Sequence, residues 1–541
     1  MKKRWRKHLS IWTGTCAYIL FLLVCILLYA IDYITNVIQV ESFSQFLYTM
    51  QVGMGGASNT IVQILQGFAQ TYLIWIIIAT ILYACFLHLF IQEKHAKKSY
   101  RFSNTVLTLN SAALVASVIT AGTLVYQVKQ GYKALKIDEY FEEQNIVSTL
   151  YEDHYTKTDS SLVQFPKKKK NLIYIYLESM ESTYADKEHG GEFVQNLIPH
   201  LTQLANDNVD FSENDSLMIN GGQVTNNTSW TVAGMVAQTS GTPLGVSNSK
   251  YNHSFDEDML FMPNVVSLGD LLKEQGYSNT LMCGSEASYA GRANYFRQHG
   301  DYTILDLNEA HESGKLPKDY HEWWGFEDSK LIEFAKEEIT ELAKQDQPFN
   351  FTMLTADTHF KDGYLCEDCP DTFDEQYENV IMCSDQRIAE FVHWIQQQDF
   401  YQDTVIVLAG DHLSMDGLIN QEVGLDCQRK TYFTVIYGPD YTLNKTRSYT
   451  TLDIFPTTVE ALGAQIEGDH LGLGTSLYAD APTLSEEFGF EWLNKQISYH
   501  NVCYEQEIME GDGLDVDGNE HEETNTTLLS YFMPKTKTEQ Q

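Results

Sequence analysis

Long apolar stretches dominate the first quarter of the chain, and short apolar runs separated by amphipathic segments dominate the rest. Ile11 to Ala30, Tyr72 to Ile91 and the more polar Val106 to Tyr126 each have close to the ~20 residues needed to cross a bilayer. Past Pro166 the pattern changes. Asn171-Leu-Ile-Tyr-Ile-Tyr-Leu177 and Thr404-Val-Ile-Val-Leu-Ala-Gly410 are continuous apolar runs bounded by polar residues, the signature of strands buried on both faces. Phe349–Leu354 and Tyr432–Tyr437 repeat it, helical stretches alternate with them, and Thr451 to Leu462 predicts a helix near the domain's end. The pattern predicts an α/β domain with a mostly parallel central sheet. The expected division is a membrane domain over 1–128 with about three transmembrane helices, a juxtamembrane helical linker over 129–165, a catalytic domain over 166–504, and a tail over 505–541. That tail is acidic and poor in apolar residues until Leu528 to Met533, so disorder is expected there.

Charge gives the membrane reading an orientation. The chain opens on Met-Lys-Lys-Arg-Trp-Arg-Lys, has no Lys or Arg from Leu9 to Gln92, and carries a short basic loop, Glu93-Lys-His-Ala-Lys-Lys-Ser-Tyr-Arg101. The positive-inside rule then puts the amino terminus and the 93–104 loop in the cytosol, and residues 31–70 and everything after Gln127 outside. A cleaved signal peptide fits less well, because no persuasive small-residue cleavage site follows the first span and two further spans come after it. Residues 31–70, with Gly53, Gly55 and Gly56, suit either an interfacial hairpin or a plain external connection.

The formal net charge is −37, and after residue 127 there are 27 basic against 70 acidic residues. Nucleic acid is excluded as a partner, since binding it needs clustered positive charge. An acidic domain that handles phosphate needs local positive charge, which a metal ion supplies most simply. Of the nine cysteines, Cys16, Cys25 and Cys85 fall in apolar spans, and Cys283, Cys366, Cys369, Cys383, Cys427 and Cys503 fall in the part expected outside the cell, where disulfides persist. We expect Cys369 and Cys383 to pair. Cys366-Glu-Asp-Cys369 alone is weak evidence for zinc.

The chemistry gathers at strand ends. In open α/β sheets ligands bind outside the carboxyl ends of the strands. The first run ends on Glu178, another on Thr355-Ala-Asp357-Thr-His359, and a third on Asp411-His412, so carboxylates and imidazoles are delivered to one sheet edge. Asn226-Asn-Thr228-Ser-Trp precedes a helix-like Val232 to Ala237 run. Thr228 there is a helix cap in the plain reading. A helix amino terminus also binds phosphate, and a metal-bound threonine hydroxyl needs no separate base.

Together the Leu177-Glu-Ser179 strand end, the Thr228-Ser229 turn, Thr355–His359, Leu408-Ala-Gly-Asp-His412 and Leu471-Gly-Leu-Gly-Thr475 resemble the sulfatase-like phosphoglycerol transferases, the group of lipoteichoic acid synthases and phosphoglycerol transferase I. The resemblance covers about residues 130–480 plus a membrane anchor. It implies an extracellular or periplasmic alkaline-phosphatase/sulfatase-like domain on a multi-pass bacterial membrane protein. It also implies a single divalent metal, Mn²⁺ in the first place with Mg²⁺ and Zn²⁺ as competitors, held by Glu178, Thr228, Asp411 and His412. Thr228 would be the nucleophile, with Arg292 and His359 binding substrate. The donor implied is phosphatidylglycerol, and the acceptor an envelope glycopolymer or teichoic-acid-type polymer.

A true sulfatase activity is disfavoured, because the Cys-x-Pro-x-Arg segment for the modified nucleophile is missing; Cys369 is followed directly by Pro370. Phosphoethanolamine transfer shares the threonine–metal layout. A catalytically inactive glycopolymer-binding protein is the alternative from another class, and it has no need of the full Glu/Thr/Asp/His set. Asp469-His470 repeats the dipeptide but follows Gly468 in a loop, so it is left out of the site.

Overall fold

The computed structural model describes residues 2–33, 42–52, 58–92, 100–214, 216–245, 260–417, 423 and 427–509. Four helices come first: α1 (Lys2–Asp32), α2 (Phe43–Val52), α3 (Ser58–Gln92) and α4 (Tyr100–Ala134). Among the described residues two helices are long and apolar enough to cross a membrane, Gly14–Asp32 and Ile64–His88. Val106 to Tyr126 falls within α4, of which much of the first half is described in backbone only. Leu23, Ile74 and Leu82 are exposed, as side chains facing lipid would be. Between α1 and α3 the contacts are aromatic and polar. Tyr18 stacks on Tyr83 at 4.7 Å and its hydroxyl meets that of Thr80 at 2.7 Å. A Cβ on Gly14 would come within 2.5 Å of the Phe86 ring, so the helices approach as only a small residue allows. The basic loop at 93–99 lies outside the described residues.

The stretch expected as a helical linker is broken into short pieces that pack on the α/β domain. α5 (Ile137–Glu143) is followed by a bridge of Val147 to His500 and by Leu150 and Tyr151, both buried, with the Tyr151 ring 4.9 Å from Tyr504. It is a docked strap rather than a free spacer, because its apolar side chains find a core to enter. The expected tail also begins later than residue 505. Ile508 and Met509 are buried, and Tyr504 donates from its hydroxyl to the Pro243 carbonyl at 2.7 Å. Residues 510–541, where disorder is expected, lie outside the described residues.

The α/β domain is built on a seven-stranded sheet. Its strands in chain order are β1 (Asn171–Leu177), β2 (Gly221–Gly222), β3 (Ser278–Cys283), β4 (Thr303–Leu305), β5 (Phe349–Leu354), β6 (Thr404–Gly410) and β7 (Thr431–Ile436). Across the sheet the order is β2-β7-β6-β1-β5-β3-β4, with β7 antiparallel to both of its neighbours, β2 and β6, and every other neighbouring pair parallel. β1 is central, with Ile175 opposite Met353 on one side and Leu408 on the other. Period-two alternation sends Leu172, Tyr174 and Tyr176 into one apolar layer and Ile173, Ile175 and Leu177 into the other, so every position must be apolar. The first layer includes α6 (Thr231–Ser240); the second includes α8 (Gln376–Gln396). A disulfide joins Cys369 to Cys383, the pair expected from sequence, and ties the loop after β5 to α8. Cys283, Cys366, Cys427 and Cys503 are free thiols.

Candidate active site

β1 and β6 are parallel neighbours in register from Asn171–Thr404 to Leu177–Gly410, so Glu178 and Asp411 leave the sheet side by side. Backbone amides then fix both. The Ser179 and His412 N–H groups donate to Asp411 Oδ1 at 2.8 and 2.9 Å, and the Ser179 hydroxyl donates to Glu178 Oε1 at 2.8 Å. From β5, Thr355 Oγ1 accepts the Glu178 N–H at 2.9 Å and the Thr358 hydroxyl donates to the Glu178 carbonyl at 2.5 Å. The loop after His412 is pinned by Glu181, which accepts the Ser414 N–H at 2.9 Å and the Arg429 guanidinium.

These supports aim three side chains at one point. His412 pairs its Nδ1 with the Leu413 carbonyl at 2.8 Å, which leaves Nε2 facing Glu178 Oε1 at 3.3 Å and Asp411 Oδ2 at 3.4 Å. One ligand atom from each of Glu178, Asp411 and His412 lies within 4.8 Å of the others, and all three residues are buried. Asp411 Oδ2 is buried without a hydrogen-bond partner. An orphaned carboxylate oxygen costs several kcal/mol unless a cation meets it, so the donor set fits a bound divalent ion.

Electrostatics agree. Burial works against the Glu178 carboxylate but is outweighed by His412 and then His359, so its pKa is lowered. Burial and the neighbouring Glu178 charge push Asp411 up. Burial opposes the His412 imidazolium, yet Asp411 and Glu178 together raise its pKa to about 10. The cluster therefore retains a proton at neutral pH that only a stronger cation displaces.

Thr231, first residue of α6, completes the group. Its hydroxyl is 3.4 Å from Glu178 Oε2 and 3.3 Å from His412 Nε2. Trp230 before it is extended and gives the helix no side-chain cap, so the first-turn N–H groups have no capping side chain. α6 comes this close because of Gly234: a Cβ there would lie 2.1 Å from the Asp411 carbonyl oxygen.

Thr228, expected from sequence as nucleophile and ligand, is placed elsewhere. It ends a tight turn in which its hydroxyl accepts the Thr225 N–H at 3.0 Å and donates to the Thr225 carbonyl at 2.9 Å, with Thr451 behind it at 3.4 Å. The helix is capped at Trp230 and starts at Thr231, so Thr228 lies before its cap and the threonine facing the cluster is Thr231. Arg292 opens α7 (Arg292–Gln298) and is buried; its Nη2 donates to Ser285 Oγ at 2.7 Å and the Glu286 carbonyl at 3.0 Å, while Nε has no partner. His359 pairs Nδ1 with the Phe360 carbonyl at 2.6 Å and packs on Trp324 at 4.7 Å, and burial pushes its pKa down against the pull of Glu178. Asp469-His470 stands apart, with His470 Nδ1 3.0 Å from Thr475 Oγ1.

Sequence reasoning also missed α2. Tyr48 is buried, lies 5.1 Å from the Trp230 ring and donates to the Ala290 carbonyl at 2.9 Å, and Ser44 donates to Asn227 Oδ1 at 2.7 Å. Part of the connection after α1 thus packs beside the helix start that carries Thr231. No alternation in that stretch signals it.

A parallel sheet whose strand ends converge a carboxylate, an aspartate–histidine pair and a helix-terminal threonine defines an α/β protein with a candidate metal centre at the carboxyl edge. The family model described as Sulfatase matches residues 170–464, and the chain belongs to that family. It is 34% identical over 328 residues to phosphoglycerol transferase I of Xanthomonas campestris pv. campestris (strain B100), covering 58% of this chain and 44% of that protein. It is 33% identical over 331 residues to phosphoglycerol transferase I of Escherichia coli (strain 55989 / EAEC), covering 60% and 40%. The chain thus spans less than half the length of these curated relatives. Among solved structures it is similar to the lipoteichoic acid synthase LtaP from Listeria monocytogenes, at 19% identity and a TM-score of 0.44, covering 62% of this chain and 82% of that one.

Proposed function

We propose that the protein is a membrane-anchored phosphotransferase. It moves glycerophosphate from phosphatidylglycerol to an envelope glycopolymer on the outer face of a bacterial membrane. The observation that carries this is the Thr231 hydroxyl, 3.3 and 3.4 Å from His412 and Glu178 at the start of α6. Glu178, Asp411, His412 and Thr231 would hold the metal, and two carboxylates, an imidazole and a hydroxyl suit Mn²⁺, with Mg²⁺ and Zn²⁺ as competitors. When bound, such an ion makes the hydroxyl more acidic and offsets phosphate charge.

Thr231 Oγ attacks the lipid phosphorus, the bond from phosphorus to the diacylglycerol oxygen breaks, and glycerophosphate is left esterified to Thr231. An acceptor hydroxyl then attacks the same phosphorus and frees the threonine. Arg292 and the first-turn N–H groups of α6 face the equatorial oxygens. The Thr231 proton passes to solvent as the hydroxyl is activated; His359, neutral by burial with Nδ1–H on the Phe360 carbonyl, relays a solvent proton through Nε2 to the departing diacylglycerol oxygen and later takes the proton of the acceptor hydroxyl as it attacks, while the departing Thr231 oxygen regains one from solvent. Tethering by α1 and α3 keeps the lipid donor at high effective concentration.

The test is mass spectrometry of the full chain incubated with phosphatidylglycerol and Mn²⁺. A glycerophosphate adduct on Thr231 is expected. An adduct elsewhere removes Thr231 as nucleophile, and a phosphoethanolamine adduct from mixed lipid overturns the donor.

A further inference from the structure

Three sulfurs lie together on the loop after β5 and the helix it packs against. Cys366-Glu-Asp-Cys369 closes a turn in which the Cys369 N–H donates to the Cys366 carbonyl at 3.1 Å, and the two Sγ atoms also stand 3.1 Å apart. Unbonded carbon atoms rest at about 3.5–4.0 Å, and sulfur is the larger atom. Cys369 is bonded to Cys383 of α8, while Cys366 is a free, partly exposed thiol. The three sulfurs lie within 4.8 Å of one another. A metal would need them as thiolates, and two are already bonded to each other.

α8 brings a cation to the same place. Arg387 follows Cys383 by four residues, one helical turn along the same face. Its Nη2 donates to Cys366 Sγ, and its Nη1 stands 3.3 Å from Asp357 Oδ2. A guanidinium against sulfur stabilises the negative charge that sulfur carries as it attacks or leaves. Cys366 thus has both things that exchange requires, a disulfide sulfur in contact and a cation beside it.

We propose that Cys366, Cys369 and Cys383 form a thiol–disulfide exchange centre with two states. The Cys366 thiolate attacks Cys369 Sγ, the Cys366–Cys369 bond forms and the Cys369–Cys383 bond breaks. The electron pair leaves on Cys383 Sγ, which takes up a proton in place of the one Cys366 gave up. One disulfide and one thiol are present before and after, so no oxidant or reductant is consumed.

The states differ in how the loop that carries His359 is held. Cys369–Cys383 ties that loop covalently to α8, whereas Cys366–Cys369 only closes the turn on itself. After exchange the loop rests on α8 through non-covalent contacts, such as the Tyr377 hydroxyl on the Thr358 carbonyl at 2.8 Å and the Gln376 amide on the Gly363 carbonyl at 3.1 Å. The exchange itself rests on no part of the proposed transfer reaction.

The experiment maps cysteine pairing in the full chain in lipid nanodiscs. The folded protein is held at mildly alkaline pH and exchange is stopped with acid. Free thiols are then blocked with N-ethylmaleimide in denaturant, and peptides cut without reduction are read by mass spectrometry. The wild type is expected to show both pairings, Cys369–Cys383 with Cys366 blocked and Cys366–Cys369 with Cys383 blocked. Cys366→Ser keeps the first pairing alone, and Arg387→Gln approaches the mixture about tenfold or more slowly. Cys383→Ser, oxidised in air, locks the second pairing, and its hydrogen exchange over residues 358–370 is expected to run about tenfold or more faster than in Cys366→Ser. A wild type that keeps Cys369–Cys383 alone, or that pairs Cys366 with Cys383, overturns the proposal whether or not Arg387→Gln folds. Exchange as fast in Arg387→Gln as in the wild type, or equal protection in the two locked variants, overturns it as well. None of these readouts depends on lipid turnover, so their failure leaves the transfer reaction untouched.

Discussion

The hydroxyl of Thr231 stands 3.3 Å from Nε2 of His412, although 181 residues separate the two in sequence. Thr228, three positions earlier, spends its hydroxyl on the Thr225 backbone instead. The two threonines therefore fail differently when altered. Thr231→Ala leaves the fold intact and lowers transfer by about a thousandfold or more, the scale of losing a nucleophile. Thr228→Ala leaves the Thr225 N–H unsatisfied and costs about 1–3 kcal/mol of stability, with kcat largely kept in the protein that remains folded. Diacylglycerol release and thermal melting, measured on both variants, separate them; activity surviving in Thr231→Ala refutes its role.

The placement of these two threonines shows where sequence stops being informative. Strand ends were legible because β1 and β6 must be apolar at every position, so Glu178 and Asp411-His412 stand out as polar residues directly after them. A helix start is less sharp, because Asn226 to Thr231 offers several capping residues in a row and the extended Trp230 decides which one faces the site. The α2 contact was invisible, since its anchors are single residues, Ser44 and Tyr48, in a stretch with no regular pattern.

The cluster's protonation sets a pH dependence. In the metal-free protein His412 has a folded-state pKa raised from 6.5 to about 10, so its stabilising contribution is present below about pH 6.5 and lost as pH rises toward 10. Asp411 is raised as well, so the metal-free protein also loses stability as pH rises above the ordinary carboxylate range. Metal binding must displace the retained proton and strengthens by about tenfold per pH unit while one proton is exchanged. The difference in melting temperature with and without Mn²⁺ is therefore expected to widen from pH 6 to pH 9. A difference that is flat or narrows with pH would show that the cluster binds no metal through His412.

α2 couples the membrane-proximal chain to the site through Tyr48, which touches Trp230 and the Ala290 carbonyl, next to Thr231 and near Arg292 respectively. Tyr48→Phe removes one buried hydrogen bond, worth about 1 kcal/mol, and Tyr48→Ala removes the ring and about 3–5 kcal/mol of local packing. Hydrogen exchange over residues 43–52 is expected to rise slightly in the first variant and strongly in the second. Unchanged protection in Tyr48→Ala would mean that α2 is held by something other than this contact.

Gly234 makes a tight demand on the sequence next to the site. It lies three residues after Thr231 on α6, and a Cβ would sit 2.1 Å from the backbone oxygen of Asp411, with the carbonyl carbon at 2.8 Å. A backbone oxygen at a strand end cannot swing away as a flexible side chain does, so α6 itself must move. Ala is the better helix former by about 1 kcal/mol, and a free helix would gain from the change. Here the steric cost outweighs that gain, and the displacement carries Thr231 away from His412 and Glu178. Gly234→Ala is expected to lower the melting temperature and cut transfer at least tenfold, with kcat falling more than the lipid KM rises. A variant that melts higher and keeps kcat would show that α6 does not need to rest on the Asp411 backbone to place the threonine.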